Sequence, residues 1–226
     1  MDNIALLDAI DAMVNPLHPP VQAFETSIRK TPFRILISVL ISSRTKDAVT
    51  HKASEKLFGV AETPKAMNEL TETQIATYIY PVGFYKQKAK HIKQIAAILT
   101  ASPGSNGDVP NTLAELTALP GVGQKTANLV LALAFGKPAI AVDIHVFRIS
   151  RRLGWATAEK PAEVEQELNN TFPPEQWNRI NQTLVGFGQT LCKPVRPLCQ
   201  LCQITPYCHF FAKNQTTQTK EPKRKK

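Results

Sequence analysis

The chain has 226 residues, and 43% of them are hydrophobic, which is enough for one large domain or two small ones around a buried core. Its 27 Lys and Arg residues against 18 Asp and Glu give a formal charge of +9, a balance that favours a polyanionic partner such as nucleic acid. The most apolar run, Thr126 to Gly136, is too short to cross a bilayer, and the N-terminus lacks the features of a secretory signal, so we expect no membrane association.

Helix signals follow one another along the chain, and no stretch alternates with the period of a strand. Thr71 and Gln74 have the spacing of a capping box, and Pro161 suits a first helical turn. The sequence therefore predicts an all-α protein. The predicted helices span about 3–13, 32–43, 46–58, 64–70, 72–79, 84–100, 111–118, 124–135, 144–153, 161–171 and 175–191, with a short one after them.

Two glycines flank a single apolar residue in the string Leu119-Pro-Gly-Val-Gly-Gln-Lys-Thr-Ala127, which lies between two predicted helices. Gly121 and Gly123 allow a tight turn that points backbone N–H groups outward where the next helix begins and its dipole is positive. Such a turn binds a phosphate without reading base sequence. The alternative is an ordinary corner between two helices.

Lys125 lies in the first turn of the helix that follows this glycine turn. The positive helix end disfavours its ammonium form, and a neutral amine is a nucleophile that can form a Schiff base. A lysine at this position can also make a simple ion pair with phosphate. Both roles stay open on the local chemistry alone.

Asp143 follows the apolar segment 139–142 and precedes a predicted helix. Its simplest role is that of an N-cap, worth roughly 1 kcal/mol. A carboxylate here could also stabilise a developing positive charge and help to move protons. The two roles are compatible.

All four cysteines of the chain fall in one C-x6-C-x2-C-x5-C segment, at Cys192, Cys199, Cys202 and Cys208. Four thiolates so close in sequence favour an iron–sulfur cube, which needs one sulfur ligand at each iron corner. Zinc is the main alternative and a disulfide a lesser one. Between the first two cysteines, Lys193 and Arg196 are separated by proline-stiffened backbone that suits contact with a phosphate.

The last segment, 213–226, holds six basic residues and one acid. Its low hydrophobicity predicts a disordered tail. The tail is either a nonspecific phosphate-binding arm or a solubilising end.

Three features together resemble the endonuclease III family of DNA glycosylases: the 119–127 string, the string Ala139-Ile-Ala-Val-Asp-Ile-His-Val-Phe-Arg148 and the cysteine spacing. The resemblance covers nearly the whole chain. It implies that Lys125 is the Schiff-base lysine, that Asp143 assists it, and that the cysteines ligate a [4Fe–4S] cluster. It also implies DNA contacts by Gly121, Val122, Gly123, Thr126, Lys193 and Arg196.

The fold implied by the resemblance consists of two α-helical domains with a DNA groove between them. Residues 25–137 would form a six-helix domain with a helix–hairpin–helix motif. Residues 1–24 and 138–212 would form the iron–sulfur cluster domain, leaving 213–226 as the basic tail.

The resemblance points to two loops that fill the gap left by a flipped nucleotide, 42–47 and 82–85. Phe84 falls where the family has an apolar wedge, although it could instead be a core residue. Many relatives have glutamine at the position of Arg44. Because arginine is only a hydrogen-bond donor, this departure puts in doubt how strictly the protein selects the base opposite the lesion. Thr117 departs from the glutamate that some relatives carry near the hairpin.

The implied activity is that of a bifunctional DNA glycosylase and AP lyase, which removes oxidised pyrimidines from double-stranded DNA and cleaves 3′ to the abasic site by β-elimination. We expect a monomer that acts in the cytoplasm at the nucleoid if the cell is prokaryotic. Two alternatives remain: a noncatalytic iron–sulfur DNA-binding module, and a mismatch-type or adenine-type glycosylase of the same superfamily.

Overall fold

The computed structural model describes residues 1–28, 31–101 and 107–218, and within these ranges the chain is helical and contains no strand. The α-helices are α1 (Asn3–Val14), α2 (Pro20–Ile28), α3 (Pro32–Ser42), α4 (Asp47–Phe58), α5 (Pro64–Glu69), α6 (Glu72–Ile79), α7 (Tyr85–Ala101), α8 (Leu113–Ala118), α9 (Gln124–Phe135), α10 (Ile144–Leu153), α11 (Pro161–Thr171), α12 (Pro174–Thr190) and α13 (His209–Gln218). Short 3₁₀ turns lie at Asn15–Leu17, Cys199–Leu201 and Thr205–Tyr207. The all-α prediction is confirmed.

Most predicted helices begin and end within two residues of the observed ones, because their caps are local signals. Thr71 and Gln74 form the predicted capping box at the start of α6. The sequence reading missed α2, whose first residue, Pro20, follows another proline and suggested a loop. Residues 213–218 belong to α13, although they were predicted to be disordered, and 219–226 lie outside the described residues.

The chain divides into two compact units. One comprises residues 20–141, and the other comprises residues 1–19 and the described residues from 142 onward. The first unit holds α2 to α9 in its described part, against the six helices that were predicted. Two of these helices, α5 and α8, have only six residues each.

In the 20–141 unit, α3 is the central element. Thr31 caps α3 and Pro32 occupies its first turn, and every residue from Phe33 to Ile41 is buried. It packs against α4 and α9, while α7 packs against α5 and α6. α7 is amphipathic, and its apolar face enters the same core. The largest fully buried side chains of this core are Leu36, Ile37, Ile41, Leu57, Met67, Ile75, Ile79, Ile92 and Ile95.

A buried amide fixes the end of this unit. Asn128 of α9 is 4% exposed, and its Nδ2 donates to the carbonyl oxygen of Ile140 at 2.8 Å. Gly136 ends α9 in the left-handed conformation. The segment that leads to Asp143 is therefore held against α9 up to Ile140.

The second unit is built on α12, which packs against α1 and α10. The carboxylate of Asp11 on α1 accepts hydrogen bonds from Arg179 and Thr183 on α12, each at 2.5 Å. Helices α10 and α12 approach so closely that a Cβ on Gly188 would lie 2.3 Å from Nδ1 of His145. Within the described residues, no helix is both long and apolar enough to cross a membrane.

Arg34 is one of the buried charged residues of the 20–141 unit. Its side chain is 5% exposed and lies 4.5 Å from the centre of the Phe58 ring. The guanidinium donates to Glu62 at 2.7 Å and to Glu55 at 3.1 Å. Both carboxylates are about half exposed, so water still solvates their charges. The guanidinium of Arg34, in contrast, is almost fully removed from water.

This asymmetry predicts an unusual ranking of variants. Glu55→Ala/Glu62→Ala leaves a buried cation without its partners, and we expect the free energy of unfolding to fall by about 3 kcal/mol. Arg34→Met removes the charge and keeps the packing on Phe58, so the free energy of unfolding should fall by only about 1 kcal/mol. Urea unfolding measures both, with the exposed Glu69→Ala as the control. A larger loss of unfolding free energy in Arg34→Met than in Glu55→Ala/Glu62→Ala would show that the unpaired charge is not the dominant factor.

Candidate functional site

The turn between α8 and α9 presents two glycines to solvent and buries the residue between them. Gly121 and Gly123 are exposed, whereas the Val122 side chain is 5% exposed. The N–H of Val122 donates inward to the carbonyl of Leu119 at 3.1 Å. Val122 therefore anchors the turn through its buried side chain and its backbone N–H. Gly123 is the N-cap of α9 and supplies no side chain to the first-turn N–H groups.

Gly121 is required for two reasons. Its φ is +76°, in the region that glycine adopts without strain. A Cβ at this position would also lie 2.2 Å from Nδ1 of His91, which belongs to α7. The turn is consequently packed directly against the His91 ring.

Lys125 is the second residue of α9, and its side chain is exposed. In the described part of the chain its amine has neither a hydrogen-bond nor an ion-pair partner, so it is available to an incoming group. Thr126 beside it is half-buried. Thr117 on α8 donates its hydroxyl to the carbonyl of Leu113 at 2.8 Å, so it serves its own helix.

Asp143 is the N-cap of α10, as the sequence suggested. Its Oδ1 accepts from the N–H groups of His145 and Val146, each at 2.8 Å. One carboxylate oxygen thus carries out the capping. Oδ2 has no hydrogen-bond partner among residues 1–28, 31–101 and 107–218, so the carboxylate can take a second role.

Arg44 and Phe84 lie together at one exposed pocket of the 20–141 unit. The guanidinium of Arg44 is 5.5 Å from the centre of the Phe84 ring. Both residues have left-handed backbones, with φ of 53° and 57°, a conformation that a non-glycine residue adopts at a cost. Phe84 is 60% exposed, so the alternative of a core residue is wrong.

A buried lysine underlies this pair. Lys88 of α7 is 6% exposed, and burial lowers the pKa of its amine to about 8. Its Nζ donates to Ile41 O at 2.7 Å, Ser43 O at 2.5 Å and Thr45 Oγ1 at 3.2 Å. All three acceptors flank Arg44 in the chain.

The four cysteines line a single pocket, together with apolar side chains of α10, α12 and α13. All four are free thiols, so the disulfide alternative is not supported. A zinc site would draw the sulfurs onto one ion at about 2.3 Å. The described residues contain no group of three or more His, Cys, Asp or Glu side chains that could hold one metal ion.

Burial and mutual repulsion act on these thiols. Burial, together with the charges of the other three cysteines, raises the pKa of the Cys202 thiol to about 11, although a backbone hydrogen bond at Ile204 acts in the opposite direction. Burial also raises the pKa of Cys199 and Cys208. Thiolates in this pocket therefore need a compensating positive charge, which a metal centre would supply.

Two arginines of α10 hold the segment that begins with Cys192. Arg148 donates to the carbonyl of Cys192 at 3.0 Å. Arg152 donates to the Cys192 sulfur at 3.2 Å and to the carbonyls of Lys193 and Pro194 at 2.8 and 3.0 Å. Burial lowers the pKa of Arg148, and the nearby Cys192 opposes this shift.

Lys193 and Arg196 are both exposed on the loop that these arginines hold. Arg196 has φ of 51°, so the loop turns sharply at this residue. The loop presents two cations to solvent, as the sequence predicted from its prolines and charges.

Sequence reasoning did not single out Lys88, His91 or Arg152 for any of these contacts. Lys88 carried a usable signal, since it falls on the apolar face of α7 with Ala89 and Ile92. His91 and Arg152 carried none, because their partners lie about 30 and 40 residues away in the chain.

Comparison with known proteins agrees with this arrangement. Residues 37–174 match the model of the family described as "HhH-GPD superfamily base excision DNA repair protein". The chain is 45% identical over 192 residues to endonuclease III of Thermotoga maritima, a match that covers 84% of this chain and 89% of that protein. It is 43% identical over 179 residues to endonuclease III-like protein 1 of Bos taurus, covering 78% of this chain and 58% of that longer protein.

The fold also matches a solved structure, that of a trapped endonuclease III–DNA covalent intermediate in an estranged-adenine complex. The TM-score is 0.82 at 35% identity, and the match covers 92% of this chain and 95% of the other. Family model, sequence identity and fold therefore agree. The chain belongs to the endonuclease III family of the HhH-GPD superfamily, and it is a DNA glycosylase and AP lyase of base excision repair.

Proposed function

We propose that this enzyme removes oxidised pyrimidines from double-stranded DNA and cleaves the strand 3′ to the resulting abasic site through a Schiff base on Lys125. The observation that carries the proposal is the exposed amine of Lys125, one turn after the exposed Gly121 and Gly123. The covalent endonuclease III–DNA intermediate of a structural relative supports it.

In the proposed reaction, the Lys125 amine attacks C1′ and the bond from C1′ to the damaged base breaks, so that the base leaves with a proton. The sugar ring then opens: the bond from C1′ to O4′ breaks, O4′ takes up a proton, and an iminium forms between C1′ and the lysine nitrogen. This iminium acidifies the protons on C2′. Loss of one of them breaks the bond from C3′ to its oxygen, and the phosphate-bearing strand departs. Hydrolysis of the imine then returns the free amine. We assign to the Asp143 carboxylate the stabilisation of positive charge on the sugar and the movement of protons.

Lys125→Gln removes the amine without altering the glycines of the turn. We expect the variant to bind abasic DNA but to lose strand cleavage and the covalent complex that borohydride traps. The measurement is a gel assay of trapped complex on abasic duplex. Lys137→Gln is the control, because Lys137 is an exposed lysine just beyond the other end of α9 that hydrogen-bonds to Asn111. Undiminished trapping in Lys125→Gln would move the nucleophile to another residue.

DNA contacts are proposed for two exposed features. The N-terminus of α9, with Gly121, Gly123 and Thr126, would bind one phosphate through backbone N–H groups and the helix dipole. Lys193 and Arg196 would contact another phosphate as charged donors. We further propose that the protein acts as a monomer and, in a prokaryotic cell, in the cytoplasm at the nucleoid, where its DNA substrate lies.

The four cysteines are proposed to hold a [4Fe–4S] cluster. The donor set fits, because four free thiols line one largely apolar pocket and iron ions would offset the charge of the thiolates. Neither base excision nor elimination transfers an electron, so the reaction itself needs no redox centre. When bound, the cluster would instead crosslink the chain segments that carry the four cysteines. Arg152 would keep its hydrogen bond to the Cys192 sulfur.

Protein purified without oxygen should contain iron and sulfide in an equal ratio, about four of each per chain. Cys202→Ser should lower both contents, because it removes one corner ligand from the pocket. Metal analysis, sulfide analysis and visible absorption make the measurement. Stoichiometric zinc without sulfide would overturn the assignment.

Arg44 yields a separate prediction because its guanidinium can only donate hydrogen bonds. If it contacts the base opposite the lesion, the acceptor-rich edge of guanine should be preferred over adenine. A difference of about 1 kcal/mol corresponds to a roughly fivefold ratio in single-turnover excision rate. Arg44→Gln should reduce this preference, measured with one oxidised pyrimidine opposite each of the four bases. The same ranking in both proteins would leave Arg44 as a phosphate contact.

A further inference from the structure

Helix α7 connects the two exposed features of the 20–141 unit. Phe84 immediately precedes the helix, Lys88 binds the segment that carries Arg44, and His91 packs against Gly121. Lys88 and His91 are three residues apart, so they lie on the same side of α7. All of these residues line one pocket, which also includes Leu40, Ser43 and Gln87.

The contacts of Lys88 bracket Arg44 on both sides. Its Nζ donates to the carbonyl of Ser43, just before Arg44, and to the hydroxyl of Thr45, just after it. The Thr45 hydroxyl oxygen in turn accepts from the N–H of Gly83, next to Phe84, at 3.3 Å. The buried ammonium therefore contacts the Arg44 loop directly and is linked to the Phe84 loop through the Thr45 hydroxyl.

The second loop approaches so closely that only glycine fits. A Cβ on Gly83 would lie 2.8 Å from the carbonyl oxygen of Arg44. Arg44 and Phe84 both hold left-handed backbones in this contact, and the guanidinium lies near the aromatic ring. Strained backbone of this kind persists only when surrounding contacts fix it, and Lys88 supplies such contacts.

We propose that Lys88 is a positioning residue for nucleotide extrusion: its ammonium fixes the Arg44 and Phe84 loops to each other, so that the two side chains enter the DNA as one preformed wedge. The proposal rests on the proposed function, because it assigns Arg44 and Phe84 to the space left by the flipped nucleotide. Preforming the wedge removes the need to order two exposed loops when DNA binds.

The protonation state of Lys88 offers a specific readout. An ammonium has three N–H donors for its three oxygen acceptors, whereas a neutral amine has two. Because burial lowers the pKa of Lys88 to about 8, the third hydrogen bond is present below that pH and lost above it. Arg44 and His91 are the other charged or titratable residues that line the pocket.

The experiment compares two substrates in single-turnover excision. One duplex carries thymine glycol opposite guanine, and the other carries thymine glycol opposite a tetrahydrofuran site, which has no orphaned base for the wedge to support. We expect Lys88→Met to slow excision by about tenfold on the first duplex and by less than about threefold on the second. Lys90→Met is the control, because Lys90 is an exposed lysine of the same helix.

Two further readouts separate positioning from a loss of stability. In an Arg44→Ala/Phe84→Ala background, Lys88→Met should slow excision little further, because the wedge is already absent. The wild-type ratio of the two excision rates should fall as pH rises through about 8, while the ratio in Lys88→Met stays flat. Taking a ratio within one protein cancels partial unfolding and any pH dependence that the two substrates share.

Equal losses on both substrates, or an unchanged loss in the double-alanine background, would overturn the inference and leave Lys88 as a structural residue. Wild-type protein that excises thymine glycol from neither duplex would overturn the proposed function as well. The two failures are therefore distinguishable from the wild-type control alone.

Discussion

The contact between the His91 ring and Gly121 is the constraint on which the functional surface of the 20–141 unit depends. The ring occupies the space that any other residue at position 121 would need for its Cβ. Helix α7 and the turn before α9 are thereby held in one register, and Lys125 follows that turn directly. Three residues earlier on α7, Lys88 holds the loop of Arg44. Helix α7 thus sets the relative positions of the turn at Gly121, the region of the Lys125 amine and the exposed Phe84.

Helix α10 has a comparable role in the other unit. Asp143 caps its N-terminus, and Arg148 and Arg152 near its C-terminus hold the backbone that starts at Cys192. Ten residues of helix therefore separate the candidate catalytic carboxylate from the cysteine pocket. The proposed cluster would therefore have a structural role, because whatever orders the cysteine segment also orders the partners of Arg148 and Arg152.

Local signals in the sequence were sufficient to predict most of the fold and to name the candidate catalytic and cluster-binding residues. Thr71 and Gln74, Pro161 and Gly154 mark helix ends through contacts within a few residues, so their helices could be predicted closely. Lys125, Asp143 and the cysteines were found because a characteristic string surrounds each of them. Helix α2 was missed because its first residue, Pro20, directly follows Pro19, a pair that is typical of a loop, and because its apolar pattern is short.

What could not be predicted depends on contacts between distant residues. Lys88 bonds to a carbonyl 47 residues away, and no local pattern encodes that partner. Candidate catalytic residues are thus recognisable from sequence motifs, whereas the candidate positioning residues become visible only in the folded chain. Since a displacement of about 1 Å can cost a hundredfold in rate, these positioning contacts are as relevant to activity as the reactive groups themselves.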